Sequence, residues 1–84
     1  MVFLIDYDRR AGELVTIREF AGEQRLLASD ARLELELSHQ RHGIEREVVV
    51  LEAATKEALM KTHRRYFADL DELNEGFKEM VRNA

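Results

Sequence analysis

The chain has 84 residues, a formal net charge of −4 and 36% charged residues. It contains no cysteine, so neither a disulfide framework nor a thiolate metal site is available. The acidic balance gives no support to a general nucleic-acid or membrane-surface binder. Hydrophobic residues make up 45% of the chain, enough for a core. A domain this small still buries only about 60% of the surface its unfolded chain exposes, so it gains from pairing with a partner.

No proline, low-complexity tract or internal repeat divides the sequence. We read it as a single domain over 1–84, with a core over 1–68 and a helical extension over 69–84. The apolar run in "MVFLIDYDRR" is too short for a signal peptide or a membrane span. With the lack of cysteine, it leads us to expect a cytoplasmic protein and no membrane partner.

Val2 to Asp8, "VFLIDYD", is apolar at every position at first and then alternates. Phe3, Ile5 and Tyr7 share one face and Val2 and Leu4 the other, the pattern of a central strand covered on both sides. "DRRAGE" comes next as a turn, with Gly12 able to take a positive φ. Leu14 to Phe20, "LVTIREF", is rich in β-branched residues and closes a β-hairpin.

The next segment has two periods. In "ARLELELSHQRHG", Leu33, Leu35 and Leu37 alternate with Glu34 and Glu36 as they would in a strand. Yet Glu23 to His42 has neither Gly nor Pro and is dominated by strong helix formers. About 20 residues is too long for a strand, so helix wins on length. Gly43 stands where a C-terminal cap belongs, with Arg41 and His42 in the last turn. Projected at about 100° per residue, Leu26, Leu33 and Leu37 form one stripe. Leu27, Ala28, Ala31 and Leu35 form a second, roughly 100–180° away. One stripe can pack on the sheet; the other needs a second helix or another chain.

Ile44 to Ala53, "IEREVVVLEA", is β-branched and apolar on both faces in its second half. A helical crossover makes this strand parallel to one already present. Placed beside the first strand, it gives a three-stranded mixed sheet in the order 2-1-3. Thr55 is the N-cap of a second helix, and Glu57 with Lys61 forms a favourable i, i+4 pair. From Leu59 a stripe runs through His63, Tyr66, Leu70, Leu73, Phe77 and Met80 at alternating steps of four and three, a heptad-like seam. Asp69 with Glu72 resembles a new helix start, and Gly76 weakens the later part of the helix, so residues 56–82 form one helix or two with a bend near Asp69. The expected fold is α+β: a small two-layer ββαβα sandwich with an extra C-terminal helix.

Chemistry-bearing constellations are sparse. His39 and His42 lie three apart on the first helix, and His63 could join them in a zinc or nickel site. Further ligands at telling spacings are missing, so no metal and no cofactor is expected. Within the seam, His63 reads as a hydrogen-bonded, partly buried histidine before it reads as a pH switch. "KTHRRYF" sets Arg64 and Arg65 beside two aromatic rings, and Arg9 and Arg10 could extend that basic surface toward a nucleic acid. Against this, Tyr66 falls on the apolar stripe. Asp6 and Asp8 straddle the end of the first strand and read as strand-end and turn residues. Ser29 and Ser38 are mid-helix, and no phosphate-cradling glycine loop occurs, so no catalytic residue is assigned.

Surplus apolar surface therefore carries the functional expectation: a non-enzymatic structural or adaptor module that forms a homodimer. Its self-association residues would be Leu27, Leu35, Leu70, Leu73, Phe77 and Met80. The alternatives are a nucleic-acid-binding module using Arg64 and Arg65, and a small-ligand binder or enzyme with a site shared across a dimer.

Overall fold

A computed structural model of the chain describes residues 1–67. Strand β1 spans Val2–Asp8 and β2 spans Glu13–Phe20. A 3-10 turn over Gly22–Gln24 leads into helix α1, Arg25–Arg41. Strand β3 is Glu47–Glu52 and helix α2 is Lys56–Thr62, with a further 3-10 turn over Arg64–Tyr66. The expected C-terminal helix, with Leu70, Leu73, Phe77 and Met80, lies outside the described residues.

Local chemistry explains the boundaries. At the hairpin, Asp8 Oδ1 accepts from the backbone N–H groups of Arg10 and Ala11 at 3.0 and 3.1 Å. Gly12 closes the turn at φ +67°, where a Cβ would be strained. At the end of α1, Gly43 sits at φ +64° and its N–H donates to the Gln40 carbonyl. The Ile44 N–H reaches back to the His39 carbonyl at 2.9 Å, completing a Schellman cap. Thr55 Oγ1 accepts from Ala58 N at 3.0 Å, as its N-cap position predicts.

The sheet order is 2-1-3. Both neighbours of β1 run antiparallel to it, Val2 facing Phe20 on one side and Glu52 on the other. The sheet is thus antiparallel throughout rather than mixed. The crossover does make β3 run parallel to β2, but β1 lies between them, so no parallel pair forms. The β1–β2 register shifts between Asp6 and Tyr7, which face Thr16 and Leu14. Val15 is the extra residue of a β-bulge.

The two helices cover opposite faces of the sheet, which makes three layers where two were expected. Phe3 and Ile5 pack with Leu59 of α2 and with Tyr66 and Phe67 beyond it. On the other face, Val2, Leu4 and Val48 are buried, and α1 presents buried Ala28. The cause is β1 itself: Val2 to Ile5 are at most 2% exposed, and a strand apolar on both faces needs a cover on each. Leu59 and Tyr66 both reach the core, but not along one helix. Thr62 Oγ1 turns back to the carbonyls of Ala58 and Leu59, and the helix stops at His63. The tighter turn beyond it seats the neighbouring residues Tyr66 and Phe67 in the same core. A continuous α-helix would hold their side chains about 100° apart.

Candidate functional site

Helix α1 meets the sheet with one stripe and leaves the other bare. Ala28 is buried and Ala31 and Leu35 are half-buried, whereas Leu26, Leu33 and Leu37 are 81%, 56% and 44% exposed. Leu27, which the projection groups with the docked stripe, instead stands at its edge and is 55% exposed. No described residue covers this outer face. Of the two stripes separated by periodicity, Leu35 belongs to the sheet-facing one, and Leu26, Leu33 and Leu37 form the free one.

A second concentration of chemistry lies at the end of the sheet where the hairpin and the α1–β3 loop meet. Asp6 falls on the face of Val2 and Leu4 and is 3% exposed. Its Oδ2 accepts from His39 Nε2 at 2.9 Å and from an Arg46 guanidinium nitrogen at 3.2 Å. Since the carboxylate can only accept, Nε2 of His39 carries the proton. Asp6 Oδ1 is buried with no hydrogen-bond partner among the described residues. Sequence reasoning missed this cluster by treating Asp6 as a strand-end residue. One available signal was an acid in the alternation Val2, Leu4, Asp6, at a position that a covering helix must bury.

Around the sheet end, Glu47 gathers a second cluster. Its Oε1 accepts from Arg65 and, at 3.3 Å, from the Tyr66 hydroxyl, and lies 3.5 Å from Arg9. The Tyr66 ring is set edge-on to Tyr7, with centroids 5.1 Å apart. Burial alone would raise the Glu47 carboxyl pKa. The hydrogen bond and charge of Arg65, with Arg9 and the Tyr66 hydroxyl, outweigh burial and hold it below the ordinary 4.5. A lowered folded-state pKa stabilises the fold above the unfolded value, and that contribution is lost as pH falls through the folded one. In denaturant titrations across pH, the stability difference between wild type and Glu47→Gln is therefore expected to be constant above pH 4.5 and to shrink below it. A difference that stays flat into acid would deny Glu47 this role.

An open groove of about 580 Å³ runs beside these clusters, lined among others by Arg9, His39, Gln40, Ile44, Arg46 and Val48. Its cations face carboxylates of the same chain: Arg9 meets Glu47, Arg10 meets Glu45 at 3.3 Å, and Arg46 meets Asp6. Arg9 and Arg65 thus converge, as a shared basic surface requires, but on an internal acid. Arg64 is exposed, while Tyr66 and Phe67 are buried and offer no free ring for a base to stack on. The three histidines do not meet. His39 is held by Asp6, His42 Nδ1 donates to the Ser38 carbonyl, and His63 belongs to the opposite face of the sheet beside Thr62.

No helix among the described residues is long and apolar enough to cross a membrane. No protein-family model, curated protein or solved structure matches the chain.

Proposed function

We propose that this protein is a small non-enzymatic module of the cytoplasm that works by associating with a second copy of itself, in a structural or adaptor role. The observation that carries this is the outer face of α1. Three leucines at positions 26, 33 and 37 stay exposed after the helix has docked on its sheet. Single exposed leucines are ordinary, but an aligned row on one helix is the kind of patch that marks an interface. A two-fold pair is the commonest way for such a patch to be covered. The carboxylate clusters at the sheet end support a structural reading of the polar residues, because their cations already have acidic partners within the chain.

The test is molar mass by light scattering over a concentration series. We expect mass to rise toward twice the monomer value. The double variant Leu26→Glu/Leu33→Glu is expected to remain monomeric with its helical circular dichroism intact. A wild-type protein that stays monomeric at tens of micromolar with a cooperative melt would overturn the proposal.

A further inference from the structure

The sheet has two outer edges, and they are built differently. On β2, the bulge at Val15 interrupts the ladder, and Glu13, Arg18 and Glu19 are exposed along the strand. A bulge and charges are common ways of making an edge unattractive to another strand. On β3, "EVVVLE", the register against β1 is unbroken from Glu47 to Glu52, four apolar residues lie in a row, and there is no proline.

The direction of the β3 hydrogen bonds is set by one residue pair. Met1 and Ala53 exchange both backbone bonds, at 2.9 and 3.1 Å. In an antiparallel ladder, bonded and non-bonded pairs alternate. Leu51, Val49 and Glu47 therefore bond inward to β1, while Glu52, Val50 and Val48 direct their N–H and C=O groups outward. No described strand lies on that side of β3.

Resting on the self-association proposed above, we infer that two copies join edge to edge through β3, with Val50 facing Val50 across a two-fold axis, to make one six-stranded antiparallel sheet. In this register Glu52 faces Val48 of the other copy and Glu47 faces Ala53, so no acid opposes an acid. Neighbouring registers that bring Glu52 against Glu52 are penalised.

The placement of α1 adds a second contact. The helix lies over β1 and β3: His39 bonds to Asp6 of β1, and Arg25 pairs with Glu52 of β3 at 3.2 Å. With strands about 4.8 Å apart, a helix above the β1–β3 boundary sits about 5 Å from the axis. The two α1 helices then run side by side about 10 Å apart, a normal packing distance. The flank turned to the partner is the one bearing Arg25 and Glu36, because Arg25 reaches β3 and Glu36 lines the same groove as Val48 of β3. Ser29 is small enough to allow close approach there, and Leu26 and Leu33 at its outer rim are partly covered by the partner helix, which is why a charge at these two positions opposes pairing. Arg32 and Glu36 on that flank, already paired at 2.9 Å, carry opposite charges one turn apart. An antiparallel helix pair can set each against its counter-charge.

Two variants test this in the full chain. Val50→Cys introduces the only cysteine, since the natural sequence has none. Directly opposed bonded residues have Cα atoms about 5.5 Å apart, within disulfide range. Mild oxidation of V50C is expected to give a covalent dimer, whereas Leu33→Cys at the helix rim gives much less. Val50→Pro removes an outward N–H without touching the β1 ladder and is expected to hold the mass at the monomer value, with circular dichroism confirming the fold. If the wild type is a dimer but V50C does not cross-link and L33C does, the edge is overturned while self-association stands. If the wild type is a monomer, both fall.

Discussion

With His39 and Arg46 both replaced by alanine, the protein is expected to lose about 3–5 kcal/mol of stability, the usual cost of stripping a buried charge of its partners. Asp6 is on the central strand and 3% exposed. Only Oδ2 has partners in the described structure, and they are these two residues. Without them the carboxylate must either stay charged without a counter-ion or take up a proton to fold. The intact cluster need not be a large net source of stability, because desolvation offsets much of a buried ion pair. What is expensive is breaking it halfway. The triple variant that adds Asp6→Leu is therefore expected to recover most of the loss, since it removes the orphaned charge. Guanidinium melts of the wild type, the double and the triple variant decide the matter. A triple variant no more stable than the double would mean that Asp6 is not the origin of the penalty.

Phe67→Ala is expected to cost about 3–5 kcal/mol, the range for emptying a fully buried phenylalanine site. Phe67 is 0% exposed and packs with Phe3, Ile5, Leu59 and Tyr66. Small domains have a total stability near the low end of about 5–15 kcal/mol, so the variant is expected to be largely unfolded at 37 °C. Phe67→Leu keeps most of the volume and is expected to cost about 1.5 kcal/mol or less. Arg64→Ala, at an exposed position three residues earlier, is expected to stay within about 0.5 kcal/mol of wild type. Thermal melts of the three variants test whether Phe67 is part of the core. A Phe67→Ala melt close to that of Arg64→Ala would show that the turn after α2 is dispensable.

Much of the local structure could be read from the sequence because it depends on local chemistry. The run "VFLIDYD" announces a central strand through two apolar faces, and Val2 to Ile5 are buried on both. Gly12 and Gly43 announce the hairpin turn and the helix cap, and both have positive φ. Thr55 announces the N-cap that Ala58 uses. The "LELEL" alternation gives way to the longer helical period, and Leu35 separates from Leu33 and Leu37 as the projection requires.

The candidate site was less legible. The two leucine stripes could be recognised, but not which of them docks: that depends on the small residues Ala28 and Ala31 allowing one stripe to approach the sheet. Asp6 meets His39 and Arg46 across 33 and 40 residues of chain, and no local pattern links such positions. Charge alone links the arginines at 9 and 65, yet an acid on β3 is what brings them together.

By itself, the sequence determined the order of strands and helices, the turns and caps at Gly12, Gly43 and Thr55, the central place of β1, and the surplus of apolar surface, but not that α2 stops at Thr62. Periodicity, capping and turn chemistry act over a few residues and leave their mark on the sequence. Only the tertiary structure decided that the helices take opposite faces, that the sheet is antiparallel throughout, and which leucines remain exposed. Those outcomes depend on contacts between distant residues, where the burial of one face is settled by what the rest of the chain can bring to it.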